Sequence, residues 1–411
     1  MPRGNRFAGA FDDGIITRPE HQIPARLARD QDGSVDDRAA GALLGMACGD
    51  ALGVPYEYGR APRGAAQMRG GGLGDYAPGE WSDDTQMAIC IARVAATGVV
   101  LSSPEGLDAV AAAFDEWLDG NPADIGLQTH DVLTEARRLT SQPAQRMASA
   151  AATLHAQTGR TAGNGALMRT APVALASLED RGQVAEAARM IAELTHADPL
   201  AGDSCVLWSE AVRTAVVECR LDLVSGLDLV PAERRPAWAR SIEAAERPAP
   251  PADLRRNGFT VTALQAAWRA TYLTHWDGIE PSDQVRDALQ AAVRIGGDTD
   301  TVAAIAGALL GARWGGRRPC LLTGGGRSMD GRVFVAGISR TSVKRSWVGQ
   351  IPIATGHCVD SRPRSRRSRP TLKPHGCNRP RSSRWQPPGS RSDQGPRLHQ
   401  GVCRCRAGFR A

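Results

Sequence analysis

From Asp37 onward the chain consists of alanine- and leucine-rich segments with apolar residues at helical spacing, separated by short runs of Gly, Pro and Asn. No stretch alternates β-branched with polar residues for long enough to predict a sheet. The fold class that we expect is therefore all-α. The spacing predicts helices over residues 37–51, 84–97, 105–119, 129–140, 144–157, 183–195, 200–219, 258–274, 283–294 and 300–314.

Small residues recur every three or four positions in the first and last of these segments. The first segment has glycine at positions 41, 45, 49 and 53, and the last has small residues at positions 303, 304, 307 and 311. Small side chains let helix axes approach closely, so we predict a compact orthogonal bundle of about a dozen short helices.

The charge of the chain is divided at one point. Residues 1–316 contain 29 arginines and 41 acidic residues, a net charge of −12, whereas residues 317–411 have a net charge of +18. The overall excess of positive charge therefore belongs to the C-terminal part. We expect no nucleic-acid partner for the body of the protein, and only the basic tail has a charge suited to one.

Composition divides the chain into three parts. Residues 1–36 are polar and rich in Pro, Gly and Asp, which predicts a flexible leader. Residues 37–316 form the predicted helical domain. Residues 317–411 are rich in Arg, Pro and Ser, which predicts a disordered tail. Because lysine use, residue bias and charge all change after Gly316, we hypothesise that the tail is a shifted reading frame or an unusual extension.

Membrane and secretory signals are not evident in the sequence. The longest apolar run, Val302–Ala312, has eleven residues, and a spanning helix needs roughly 20. The N-terminal residues lack the apolar region of a secretory signal, so we expect a cytoplasmic protein.

Single cysteines in helix-like apolar surroundings predict buried free thiols rather than disulfides; they are Cys48, Cys90, Cys205 and Cys219.

Two short segments each place a pair of aspartates with hydroxyl residues at the start of a predicted helix. The first is Trp81–Gln86 (WSDDTQ), and the second is Gly296–Thr301 (GGDTDT). Each pair alone is explained by a helix N-cap, because the helix dipole stabilises acidic side chains in the first turn. Two such clusters together suggest a shared cation site, and oxygen ligands without His or Cys favour Mg²⁺, Mn²⁺ or Ca²⁺.

Other positions could bind a ligand or only end a helix or turn. The Gly-Asn-Gly sequence at Gly163–Gly165 could cradle a phosphate with its backbone N–H groups, or it is an ordinary turn. His196 could bind a ligand or cap the preceding helix. Glu57, between two tyrosines, could have perturbed ionisation or be a solvated acid. Asp124 could be a functional acid, but a helix cap explains it equally well.

Six sequence blocks follow one another between Gly41 and Ala312, across about 270 residues. They are GALLGMACGDALGVPYEYG, WSDDTQMAICIA, ADIG, GNGALMRTAPVAL, THADPLAGDSC and RIGGDTDTVAAIAGALLGA. Their order and content resemble the ADP-ribosylglycohydrolase family, which includes the dinitrogenase-reductase-activating glycohydrolases. Nothing after Gly316 matches the family, whose members usually continue with another helical segment.

The resemblance implies an all-α orthogonal bundle with two Mg²⁺ or Mn²⁺ ions at the bottom of a cleft. Carried over position by position, the metal ligands are Ser82, Asp83, Asp84, Asp298, Asp300 and Thr301. Glu57 falls where the family has a mobile acidic residue beside the metals, and Asp124 where some members are thought to have an acid or base. In the family, four positions bind the diphosphate and ribose of ADP-ribose, and the resemblance assigns them to Gly163, Asn164, Gly165 and His196.

The activity that the resemblance implies is hydrolysis of the glycosidic bond at C1″ of the distal ribose, through an oxocarbenium-like transition state. The substrate is then an ADP-ribosylated protein side chain, with arginine as one candidate, or a small ADP-ribose conjugate. A non-catalytic ADP-ribose-binding or crystallin-like protein is the alternative, although the complete acidic set argues against it. We expect a monomer without a membrane partner.

Overall fold

The computed structural model describes residues 34–316, which form twelve α-helices and two short 3₁₀ helices. The α-helices are α1 (Val35–Gly53), α2 (Asp83–Ala95), α3 (Pro104–Asp119), α4 (Leu127–Ala136), α5 (Pro143–Thr158), α6 (Ala171–Ala176), α7 (Arg181–Glu193), α8 (Pro199–Glu218), α9 (Arg235–Glu246), α10 (Thr260–Tyr272), α11 (Pro281–Ile295) and α12 (Thr299–Trp314). The 3₁₀ helices span Val54–Tyr56 and Val224–Leu229. The predictions for the tail, and for all but the last residues of the leader, lie outside the described residues.

The all-α prediction is confirmed. All ten predicted helices are present, and between residues 34 and 316 strand-like pairing is limited to two isolated bridges. Two helices were not predicted. α6 has six residues, too few for a periodic pattern to emerge. α9 buries only Trp238, Ile242 and Ala245, so its apolar face is sparse among charged residues.

α1 and α12 pack antiparallel through the predicted small residues. A Cβ atom built on Gly41, Gly45 or Gly49 would lie 2.0–2.2 Å from a backbone oxygen of α12. Glycine inside a helix costs about 0.5–1 kcal/mol relative to alanine, and the close contact of two backbones offsets that cost. The pairing brings Asp50, near the end of α1, to Asp300 at the start of α12.

The apolar run Val302–Ala312 lies inside α12, and every residue in it is buried. A helix that is apolar on all sides is typical of the centre of a bundle. Among the helices of residues 34–316, none is long and apolar enough to cross a membrane.

Cys90 and Cys205 are buried free thiols, as predicted, whereas Cys48 and Cys219 are half-buried.

Candidate active site

Asp50 organises the start of α2. Its buried carboxylate accepts hydrogen bonds from the N–H (2.8 Å) and hydroxyl (2.9 Å) of Ser82 at Oδ1, and from the N–H (3.1 Å) and hydroxyl (2.6 Å) of Thr85 at Oδ2. Ser82 is the N-cap residue of α2 but its hydroxyl makes no capping bond, so Asp50 takes over part of that role. The first two residues of α2, Asp83 and Asp84, are thereby held in place.

The first acidic group joins α1, α2 and α12. Asp50, Asp84 and Asp300 are buried, and each offers a carboxylate oxygen within 4.8 Å of the other two. Oδ1 of Asp84 and Oδ1 of Asp300 are buried without a hydrogen-bond partner among the described residues. An unpaired buried carboxylate oxygen is energetically costly. These two oxygens are therefore suited to binding a cation or a proton.

A second acidic group shares one member with the first. Glu57, Asp298 and Asp300 offer carboxylate oxygens that also lie within 4.8 Å of one another. Glu57 follows the 3₁₀ helix Val54–Tyr56, so it reaches the group from the loop after α1. Because Asp300 belongs to both groups, the five carboxylates form one continuous acidic surface.

Asp298 is positioned by side chains from three separate segments. Its Oδ2 accepts hydrogen bonds from the Tyr58 hydroxyl (3.1 Å) and from Asn164 Nδ2 (2.8 Å). Its N–H donates to Asn257 Oδ1 (2.8 Å), and Asn257 Nδ2 donates to the carbonyl of Gly296 (2.9 Å). The glycine-rich turn before α12 is thus held in place by two asparagines and a tyrosine.

Five carboxyl groups of the site have raised pKa values. Burial, and then the charge of Asp298, raises the pKa of Glu57 to about 8. Burial, and then the charge of Asp124, raises the pKa of Asp83 to about 7. Burial also raises the pKa values of Asp50, Asp84 and Asp300. So many carboxyl groups in a small volume need protons or cations to offset their repulsion.

Two further groups face these carboxylates from loops. Asp124 is half-buried between α3 and α4, and its charge contributes to the raised pKa values of Glu57 and Asp83. The N-cap of α4 is Gly126, so Asp124 is not the cap of that helix. The hydroxyl of Tyr76 is buried without a hydrogen-bond partner in residues 34–316, and burial raises its pKa. Tyr76 therefore stays a neutral hydrogen-bond donor.

The Gly-Asn-Gly turn lies against an imidazole ring. A Cβ atom built on Gly163 or on Gly165 would lie 3.2 Å from Nε2 of His196, a tight contact that would require a small shift of the ring. The ring of His196 does not cap α7; its Nδ1 lies 2.8 Å from the Thr195 hydroxyl oxygen. Asn164 points the other way, towards Asp298. The turn thus connects the imidazole to the acidic groups.

The two aspartate clusters predicted from the sequence meet in the folded chain, and the Gly-Asn-Gly turn adjoins them. Ser82 contacts them through Oγ, which lies 3.0 Å from Asp84 Oδ2, and Thr301 is buried in the first turn of α12. Sequence reasoning assigned no role to Asp50, Tyr58, Tyr76 and Asn257. A signal existed only for Asp50, which lies in the GDALG segment where the first helix ends.

Comparison with known proteins shows the family of the chain. The sequence profile of the ADP-ribosylglycohydrolase family matches residues 31–318. The chain belongs to this family. It is 29% identical over 288 residues, 69% of this chain and 87% of the relative, to the ADP-ribosyl-dinitrogen reductase glycohydrolase of Rhodospirillum rubrum. It is 31% identical over 296 residues, 68% of this chain and 71% of the relative, to an ADP-ribosylarginine hydrolase of Pseudomonas putida.

A solved structure supports the same fold. An ADP-ribosylglycohydrolase-related protein complex matches with a TM-score of 0.50 and 27% identity, covering 70% of this chain and 91% of that chain. The predicted family, fold class and enzyme class are therefore confirmed. As an ADP-ribosylglycohydrolase, the chain is a glycosidase-type hydrolase of ADP-ribosyl groups.

Proposed function

We propose that the protein is a metal-dependent hydrolase that cleaves the bond between ADP-ribose and an arginine side chain of a modified protein, releasing ADP-ribose. The observation that carries the proposal is the pair of acidic groups joined through Asp300, in which two buried carboxylate oxygens have no partner among the described residues. Relatives named for this linkage support the choice of arginine: an ADP-ribosylarginine hydrolase is 31% identical to this chain.

The donor set fits two Mg²⁺ or Mn²⁺ ions. Asp50, Asp84 and Asp300 would hold one ion, and Glu57, Asp298 and Asp300 the other. All these ligands are carboxylate oxygens, which hard divalent cations prefer. Burial, and then the charge of neighbouring carboxylates, raises the pKa values of Glu57, Asp84 and Asp300, and positive charge here would offset that repulsion. Asp50 is added to the metal ligands that the sequence predicted. Three of those predicted ligands lie next to the acidic groups: Ser82, Asp83 and Thr301.

When bound, the ions supply charge that orients the ribose hydroxyls and lowers the pKa of a water molecule. The residues of the chain supply binding and proton transfer. Gly163, Gly165 and His196 would bind the diphosphate and ribose, and the backbone of the two glycines lies against the imidazole ring. Asp124 belongs to neither acidic group, so its carboxylate remains available as the acid or base, while Glu57 lies within the second group.

The test compares ADP-ribose release from an arginine-ADP-ribosylated protein and from an ester-linked ADP-ribose conjugate. Wild-type protein is assayed with Mg²⁺, with Mn²⁺ and with EDTA, beside Asp300→Asn and the matched control Asp287→Asn on α11. We expect metal-dependent release from the arginine substrate that Asp300→Asn abolishes and Asp287→Asn retains. Full activity in EDTA contradicts metal dependence. ADP-ribose binding without any release identifies a binding protein instead.

A further inference from the structure

Arg169 is a fully buried cation, and it forms no ion pair with a carboxylate within residues 34–316. Its Nη2 donates a hydrogen bond to the hydroxyl oxygen of Thr195 at 2.5 Å, and its Nη1 lies 3.4 Å from the sulfur of Met87. The guanidinium carbon lies 4.6 Å from the centre of the Phe114 ring. A buried arginine normally has an acidic partner, because burial of an unpaired charge is expensive. The Thr195 hydroxyl is its strongest hydrogen-bonding contact in the described residues.

The Thr195 hydroxyl links this cation to His196. A guanidinium has only donors, so Thr195 Oγ1 accepts from Arg169 and keeps its single proton for another acceptor. In residues 34–316 the acceptor within reach is Nδ1 of His196, at 2.8 Å. The arrangement that satisfies every group has Nδ1 unprotonated, because a protonated Nδ1 would leave the Thr195 hydroxyl proton without an acceptor among the described residues. In a neutral imidazole the remaining proton then lies on Nε2.

Nε2 faces the Gly-Asn-Gly turn. Cβ atoms built on Gly163 and Gly165 would each lie 3.2 Å from it, and His196 is only 1% exposed. Within the described residues Nε2 has no hydrogen-bond partner, while Nδ1 is occupied by Thr195. Burial and the charge of Arg169 lower the pKa of His196 well below its usual value, so the ring is neutral. The free N–H therefore points at the Gly163–Gly165 turn, where the ligand would bind.

We propose that Arg169 is a positioning residue that acts through Thr195: it holds His196 in the Nε2–H form, so that the ring donates a hydrogen bond to a phosphate or ribose oxygen of ADP-ribose at the Gly163–Gly165 turn. The choice of ligand rests on the function proposed above, and the proton arrangement does not. With the opposite tautomer, Nε2 would present a lone pair to an oxygen-rich ligand and repel it. The cation thus contributes to anion binding without touching the anion.

The experiment uses Thr195→Val, which removes the hydroxyl at nearly constant volume, because replacing Arg169 itself also removes a large buried side chain. Thr195→Ser, which keeps the hydroxyl, is the matched control. The tautomer of His196 is read from the ¹⁵N NMR signals of the imidazole nitrogens in the full-length protein, and His196→Gln assigns those signals. The affinity for ADP-ribose is measured by calorimetry at a fixed Mg²⁺ concentration.

We expect the wild-type protein and Thr195→Ser to show an unprotonated Nδ1 and a protonated Nε2. We expect Thr195→Val to show a mixture of tautomers and an ADP-ribose Kd raised about tenfold, the effect of one hydrogen bond to a charged or strongly polar group. A protonated Nδ1 in the wild-type protein overturns the inference. Unchanged signals and unchanged Kd in Thr195→Val overturn it as well.

The two proposals fail in different ways. A wild-type protein with the Nε2–H tautomer that binds no ADP-ribose supports the proton arrangement and contradicts the proposed function. A protein that binds and hydrolyses as proposed, but with Nδ1 protonated, keeps the function and removes the role of Arg169.

Discussion

Gly53, the last residue of α1, lies directly against the backbone of Asp300 at the start of α12. A Cβ atom on Gly53 would lie 2.3 Å from the Cα atom of Asp300. The separation of these two helix ends is therefore set by the absence of a side chain. Because Asp50 and Asp300 belong to these same helix ends, the geometry of the first acidic group depends on glycine.

Replacing a glycine in this contact should destabilise the fold and disturb the site together. In Gly49→Ala, the new methyl group would lie 2.0 Å from the carbonyl oxygen of Ala303, so α1 and α12 must separate. Overpacking of this kind costs about 1–3 kcal/mol, measured by chemical denaturation. Gly64→Ala is the control, since no atom lies within 4 Å of a Cβ there. Equal stability of the two variants would contradict the packing described.

Asp300→Asn should stabilise the metal-free protein while removing its response to metal. Asp300 is buried among like charges, and the amide removes an ionisable group from that cluster. We expect a higher thermal midpoint than wild type in EDTA, and no further rise on addition of Mg²⁺ or Mn²⁺. A midpoint that still rises with metal as in the wild-type protein would show that Asp300 is not a ligand.

The stability of the metal-free protein should fall as the pH rises. The pKa of Glu57 is raised from 4.5 to about 8, and that of Asp83 from 3.8 to about 7. Between these values the folded chain holds protons that the unfolded chain has lost, so the free energy of unfolding decreases with pH. For these two groups the decrease begins near the ordinary values and ends above about pH 8.

The measurement is the thermal midpoint in EDTA across that pH range. Glu57→Gln should flatten the curve near pH 8, because it removes a group whose pKa is raised to about 8. A midpoint that rises with pH in the wild-type protein would be incompatible with protonated carboxyl groups in the folded site.

Asn164→Ala should weaken binding of ADP-ribose and of metal alike. The sequence alone suggests an effect on ADP-ribose only, but Asn164 Nδ2 donates to Asp298 Oδ2 at 2.8 Å and to the carbonyl of Asn257 at 2.9 Å. Loss of a hydrogen bond to a carboxylate should lower metal affinity about tenfold. Calorimetric titrations with Mn²⁺ and with ADP-ribose measure both effects, and unchanged Mn²⁺ affinity would remove Asn164 from the support of Asp298.

Periodicity predicted the helices well, because most of them bury a broad apolar face. It also located the aspartates of α2 and α12, since hydroxyl and carboxylate residues at a helix start are a local pattern. It could not assign Asp50: the GDALG segment marks the end of the first helix, but it does not show which groups the carboxylate meets. That role appears only when Ser82 and Thr85, more than 30 residues away in sequence, donate to it.

Asn257 was missed for a similar reason. Its neighbours are Arg256 and Gly258, which indicate only a polar turn. Its two side-chain hydrogen bonds, to the Asp298 N–H and the Gly296 carbonyl, join segments about 40 positions apart. Local composition contains no information about such a pairing, because the partner groups are backbone atoms.

The antiparallel pairing of α1 with α12 also determines when the protein can become active during its synthesis. Asp50 leaves the ribosome early, whereas Asp298 and Asp300 are translated some 250 residues later. A nascent chain that ends before Asp298 lacks one of the three carboxylates of the first acidic group and two of the three of the second, however well its earlier helices have folded. The two acidic groups can therefore form only after Asp300 has been synthesised, and a translation product that ends before Asp298 lacks the proposed site.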